Sequence, residues 1–485
     1  MPTDASDSSA PTPQTVERPV HSDRRARDEK TARTAILIVH GMGQQLPFGT
    51  LDGLVRGLRN IDALEDHTAV RQVRLRGDGV ADRDLPRVEA TLRDASGENH
   101  RPVHFYEGYW APITEGQVTL RDVMSFLFSA GINGLRNASG AFTRYMFGER
   151  VSFPEQKSTS YALCVAMLVL ISLIAINVVG GLVTANALLR PAWVTAAFEK
   201  HVTILLLSLV GVAVITQVGL FVLKKMLFFH VFLGGVILAG AALDVIILYH
   251  AFGQPGTVAP WPSWVTTVAW GAVLLGSWIA RGALVQFVGD VAAYVSSHRL
   301  DRFAKIRRDV KRQVFETARS IYAARDDSGS FQYDRIAIVA HSLGSVVAYD
   351  TLNRLLNEDA LGDPPLAVQE RTPLLLTFGS PLDKIAFIFR AQGAETGSTR
   401  ENLAAAKQPL IQDYQFRDRL KWVNVYSPLD IVSGALDLYD DPKNPAHEEH
   451  GVKNLVDPGA TTPLVAHTEY WKTPLVFRVI QEELA

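Results

Sequence analysis

A chain of 485 residues is long enough for two or three domains, or for one large domain carrying an insertion. Its formal net charge of -2 supplies no basic field for nucleic acid. The single cysteine, Cys164, excludes an intrachain disulfide, a cysteine-based zinc site and a redox pair. Apolar residues make up 47% of the chain and are concentrated between about 160 and 290, which points to an environment other than water for that stretch.

Residues 1–34 are rich in Ser, Thr, Pro, Asp and Arg and nearly free of large apolar side chains, so they predict a disordered arm. No apolar h-region follows the start, so no signal peptide is expected and the first ordered segment should form in the cytoplasm. The run Ala35-Ile36-Leu37-Ile38-Val39 is short, apolar and β-branched, and it stops at His40-Gly41-Met42-Gly43. That pattern predicts a fully buried parallel strand feeding a tight turn. Leu51, Leu54, Val55, Leu58 and Ile61 keep helical spacing, and Val103-His104-Phe105-Tyr106 predicts a second strand. Residues 118–147 mix aromatics with Arg121, Arg136 and Arg144, a composition compatible with an interfacial helix pair.

Four apolar segments follow, at 161–183, 201–223, 227–250 and 264–280, the third interrupted by Asp244. Each approaches the roughly 20 residues that cross a hydrocarbon core of about 30 Å. The alternative is four buried helices of a large core, but helices apolar all round have little to do in a soluble α/β domain. Asp244 is costly inside a bilayer unless it faces protein or water. Lys and Arg flank the set at Arg150, Lys157, Lys224, Lys225 and Arg299, which places both termini and the α/β domain on the cytoplasmic side.

Residues 300–325 predict a charged, half-exposed helix, and Arg335-Ile336-Ala337-Ile338-Val339-Ala340 another buried strand. A turn over 341–344 and a helix over 345–356 come next, then strands at 374–378 and 422–426. Alternating strands and helices joined by short turns argue for a parallel sheet covered on both faces. The expected organisation is an arm over 1–34, one part of an α/β domain over 35–157, a transmembrane helical insertion over 158–297, and the second part over 298–485.

Two turns carry chemistry. Ala340-His341-Ser342-Leu343-Gly344-Ser345 lies between an apolar strand and a helix, the setting of a nucleophile elbow. A serine there is lifted above the sheet edge, and the following helix aims its N-terminus at developing negative charge. The bland reading is an ordinary small-residue turn. The second is His40-Gly41-Met42-Gly43-Gln44, whose glycines let backbone amides face an oxyanion. Without a following Lys it does not fit a phosphate loop.

The chain resembles the α/β-hydrolase superfamily, particularly its lipase and esterase branches. The resemblance rests on VHGMGQQ at 39–45, VAHSLGSVVA at 339–348, TFGSPLDK at 377–384, VNVYSPLDIVS at 423–433 and VAHTEYW at 465–471. It spans about 35–110 and 300–475, leaving the apolar segments outside. It implies an α/β-hydrolase-type, mostly parallel sheet with helices on both faces, interrupted by a bundle of about four transmembrane helices. It further implies Ser342 as nucleophile, Asp430 as acid and His467 as base, with the amides of Met42 and Leu343 facing the oxyanion. His40, Gly41, Gly43, His341 and Gly344 would support the two turns. The chain order of serine, acid and histidine agrees with this assignment.

Rivals stand beside each assignment. Asp383, in the Gly-Ser-Pro turn, is the alternative acid or a helix cap. His447 and His450 also follow Asp430, but as an H-x-x-H pair they lack a third metal ligand. His341 reads as a packing and hydrogen-bonding residue rather than a base. The implied activity is hydrolysis of carboxylic esters through an acyl-serine intermediate, with no metal or organic cofactor. A bilayer-held domain would favour lipid or another hydrophobic ester as substrate. The same triad would serve an acyltransferase or thioesterase. The rival from another class is a catalytically weak hydrolase-fold module for membrane interactions, against which an intact set of three residues argues. Nothing in the sequence sets the oligomeric state.

Overall fold

The computed structural model describes residues 33–153 and 294–485, apart from 44, 78, parts of 118–141, 296–300, 363–364, 389–398, 413–418, 431, 441–450 and 463–465. Among the described residues ten strands are formed: β1 (Thr34–Val39), β2 (Ala69–Gly77), β3 (Val80–Arg93), β4 (His100–Gly108), β5 (Phe142–Met146), β6 (Glu149–Phe153), β7 (Arg335–His341), β8 (Leu374–Phe378), β9 (Lys421–Tyr426) and β10 (Val452–Val456). The helices that matter here are α1 (Gly49–Asn60), α2 (Asp301–Ala323), α3 (Leu343–Asp359), α4 (Leu382–Ile388), the one-turn α5 (Ala466–Glu469) and α6 (Leu475–Leu484).

Eight strands make one sheet in the order β10-β9-β8-β7-β1-β4-β3-β2. From β10 to β4 every neighbour is parallel, while β3 runs antiparallel to β4 and β2 antiparallel to β3. The sheet is therefore mixed. At its centre β1 pairs with β4 on one side and β7 on the other, with Val39 opposite Ala340. Segments on both sides of residues 158–297 thus contribute to a single sheet.

The continuous apolar runs of β1 and β7 are explained by burial on both faces. Successive side chains alternate across a strand. Ala35, Leu37 and Val39 join one core with Val310 and Val314 of α2 and Val347 and Leu352 of α3. Ile36 and Ile38 join the other with Leu54 and Leu58 of α1 and Val476, Phe477 and Ile480 of α6. Each Val, Leu, Ile or Phe side chain among these contributes about 1.5–3 kcal/mol when fully buried.

Two departures from the sequence pattern concern the flanks. The antiparallel hairpin of β2 and β3 was not anticipated, because its strands are dense in charge. It is held by cross-strand ion pairs, Arg74 to Asp84 at 2.6 Å and Arg71 to Glu89 at 3.0 Å, on exposed surface. The interfacial helix pair expected over 118–147 is replaced in its last part by a strand, since Phe142–Met146 pairs with Glu149–Phe153 in a two-stranded hairpin. Arg144 of that hairpin stacks its guanidinium 4.6 Å from the Tyr439 ring and donates to the Leu438 carbonyl at 3.0 Å. Its partners are protein groups, not an interface with lipid.

The expected transmembrane insertion is corrected here. Among the described residues no helix is long and apolar enough to cross a membrane. The segments at 161–183, 201–223, 227–250 and 264–280, with Asp244, lie outside the described residues. With the bundle falls the multi-pass placement and the cytoplasmic orientation derived from it. The physical reason is that an uncharged run of about 20 residues records a preference for surroundings other than water, and such a run meets the length criterion for a span without specifying one.

Candidate active site

Ser342 is the one residue between β7 and α3. Its backbone sits at φ 54°, ψ -132°, a region that a residue with a Cβ enters at a cost of about 1–3 kcal/mol. Surrounding bonds impose it: the Ser342 amide donates to the Phe378 carbonyl at 3.0 Å, the Ser345 amide donates to the Ser342 carbonyl at 2.9 Å, and the Ser345 hydroxyl reaches the Ala340 carbonyl at 3.2 Å. Gly344 is required by close approach, because a Cβ there would lie 2.3 Å from the His40 carbonyl oxygen and 2.4 Å from that of Val39. As the first residue of α3, Leu343 has an amide that the helix itself leaves without an acceptor.

The end of β1 supplies the facing wall. A Cβ on Gly41 would come within 2.8 Å of the Ser342 Cβ, so this turn lies directly against Ser342, with Met42 and Gly43 (φ 95°) next in line. His40 anchors the turn. Its Nε2 accepts the Trp110 amide at 2.9 Å and its Nδ1 donates to the Gly41 carbonyl at 2.8 Å, which fixes a neutral tautomer. Trp110 stacks on the ring at 4.6 Å and donates its indole N–H to the His40 carbonyl at 3.2 Å. Burial pushes the His40 imidazole down to about 4. Gln45 donates to the Met42 carbonyl at 3.1 Å and further pins the turn.

Across this wall stands His467 on α5. Its Nε2 is 2.7 Å from Ser342 Oγ and its Nδ1 is 2.8 Å from Asp430 Oδ2. Burial alone would raise the Asp430 carboxyl, but the hydrogen bond from His467, with that from the Val432 amide, holds it well below the usual carboxylate range. An ionised carboxylate only accepts, so Nδ1 carries the proton and Nε2 is left to accept from the serine hydroxyl. His341 is no base. Its Nε2 donates to the His467 carbonyl at 3.0 Å, its ring lies 5.0 Å from that of His467, and burial pushes it down to about 3.

Asp383, the alternative acid, lies elsewhere. On α4 it is buried and accepts the Leu438 amide at 3.1 Å on both oxygens, and burial raises it well above the usual range. Its neighbour Lys384 donates to the Ser433 carbonyl at 2.6 Å, and burial pushes its amine down to about 8. His447 and His450 lie outside the described residues. Among the described residues no group of three or more His, Cys, Asp or Glu is placed to hold a metal ion.

Sequence reasoning passed over Tyr470 and Trp110 as functional positions. Tyr470 donates to Asp430 Oδ2 at 2.9 Å, directly beside His467. A spacing of three residues was the available signal, since side chains so placed on a helical turn project to one side. Trp110 carried no local signal, because its tie to His40 is made across the sheet. Comparison of the chain with known proteins finds no matching family model, no matching curated relative and no matching solved structure.

Proposed function

We propose that this protein is a serine hydrolase that cleaves carboxylic esters through an acyl-serine intermediate. The observation that carries the reading is the unbroken hydrogen-bonded chain from Ser342 Oγ through His467 to Asp430, with contacts of 2.7 and 2.8 Å. Ser342 Oγ attacks the ester carbonyl carbon as its proton passes to His467 Nε2. The carbonyl oxygen, now an anion, is met by the amides of Met42 and Leu343, a type of contact whose loss costs about 10²–10³ in turnover. Collapse expels the alkoxide, which takes the proton from Nε2. Water then repeats the sequence on the acyl-serine and releases the acid. The resemblance of the elbow and the glycine turn to those of α/β-hydrolases supports the same reading.

Labelling with a fluorophosphonate probe tests the proposal. The protein should be modified at Ser342, and Ser342→Ala should abolish both labelling and esterase activity, a loss of several orders of magnitude, while the fold is retained. An alanine variant that still labels, or a folded protein that does not label at Ser342, overturns it.

A further inference from the structure

Tyr470 directly follows α5 and is fully buried. Its hydroxyl faces Asp430 Oδ2 at 2.9 Å, the Ser427 amide at 2.9 Å and Ser433 Oγ at 2.9 Å. A phenol has one proton to give and two lone pairs. The Ser427 amide can only donate and the ionised carboxylate can only accept, so the Tyr470 proton must point at Asp430. Asp430 Oδ2 thereby receives two donors, Tyr470 O–H and His467 Nδ1–H, while Oδ1 receives the Val432 amide at 2.8 Å.

We propose that Tyr470 is a positioning residue, which locks the Asp430 carboxylate against rotation and so keeps its Oδ2 aligned with His467. The proposal rests on the serine-hydrolase reading. The terminal torsion of an aspartate is broad, and with the Val432 amide and His467 alone each oxygen is held by a single bond, which leaves room to rotate. The tyrosine closes that freedom. Because Tyr470 and His467 leave the same turn of chain, base and clamp grip one oxygen from a common support. The clamp also has an electrostatic consequence. A donor on the carboxylate draws off part of its charge, so removing the donor strengthens the hold of Asp430 on the protonated imidazole.

The test uses the full chain with p-nitrophenyl butyrate as substrate and fluorophosphonate labelling as a parallel readout. Tyr470→Phe should lower kcat about tenfold with KM little changed, below the ~10²-fold cost of a 1 Å misplacement. The acidic limb of its pH–rate profile should move to higher pH. Replacing Tyr470 with 3-fluorotyrosine keeps the ring in place and strengthens the donor, so that limb should move to lower pH. In an Asp430→Asn background, Tyr470→Phe should cost nothing further, because the clamp acts only through the carboxylate. A labelled wild type beside a Tyr470→Phe protein with unchanged kcat and an unmoved limb overturns the proposal. So does an equal cost in both backgrounds. If Tyr470→Phe does not fold, the fluorotyrosine protein decides by the direction of its limb. A folded wild type that fails to label at Ser342 overturns the hydrolase reading itself, and the clamp falls with it.

Discussion

Asp430 and Asp383 are both buried carboxyls near the same sheet edge, and their surroundings send them in opposite directions. Asp430 receives a histidine, a tyrosine and an amide, while among the described residues Asp383 receives the Leu438 amide alone. The first is kept ionised and the second is pushed towards its neutral form. Asp430→Asn should therefore lower kcat/KM by roughly 10⁴-fold, since an amide there permits the wrong imidazole tautomer. Asp383→Asn should change it only a few-fold, because an amide oxygen can still accept from Leu438. Steady-state kinetics on variants matched for thermal midpoint check both, and a more damaging Asp383→Asn would reverse the roles. At this scale Ser342, His40, Gly41 and Gly344 were legible in sequence because their turns sit between periodic segments. The preference for Asp430 over Asp383 came from the family resemblance, since the residues by themselves leave open which carboxyl the folded chain brings to His467.

Among elements, the packing of α1 on α6 is the tightest contact that can be probed with one methyl group. A Cβ on Gly57 would lie 2.0 Å from Phe477 Cζ and 2.1 Å from Cε1, inside a core where Phe477 is buried. Alanine gains about 1 kcal/mol over glycine in a helix interior. Overpacking typically costs about 1–3 kcal/mol. The difference leaves a net steric cost of about 0–2 kcal/mol, so Gly57→Ala should lower stability by up to about 2 kcal/mol in denaturant unfolding. Phe477→Leu, which shortens the opposing side chain, should recover most of that loss when combined with it, and a purely additive double variant would deny the contact. The elements themselves were readable wherever both faces are buried, as in β1 and β7. They were unreadable in β2 and β3, where strand propensity is masked by arginines and aspartates that pair across the hairpin rather than with the core.

The whole molecule carries its acid sensitivity in buried imidazoles. Burial pushes His40 down to about 4 and both His104 and His341 to about 3, against an ordinary value of 6.5. Between pH 6.5 and about 4 the unfolded chain binds protons on these groups and the folded chain does not, so stability is lost as pH falls through that window. Glu107 has the opposite sign. Burial raises it to about 7 from 4.5, so its contribution to stability is lost as pH rises through that range. Asp383 and Asp437, also raised by burial, share that sign. The three imidazoles are thus partly offset, and the thermal midpoint should fall by a few degrees at most from pH 7 to pH 5. A midpoint that climbs over that interval would show that the imidazoles are not kept neutral by the fold. The apolar stretch from about 160 to 290 lies outside the described residues, and its hydropathy measures the wish to leave water and says nothing of what receives the segment.

The place of β1 and β7 at the middle of the sheet has a kinetic consequence. Val39 and Ala340 are lateral neighbours, so the glycine turn and the serine turn meet only after a very long stretch of chain has been closed into a loop. The entropic toll of that closure grows only logarithmically, about 0.6 kcal/mol for each doubling, so equilibrium stability hardly registers it. Speed does register it, because parallel pairing between distant segments is slow and leaves strand edges bare while it waits. During synthesis β1 emerges early and must keep one edge unpartnered until β7 leaves the ribosome. The glycine turn is therefore synthesised long before the serine turn that it faces, and this interval is when the chain is most open to pairing with the wrong strand.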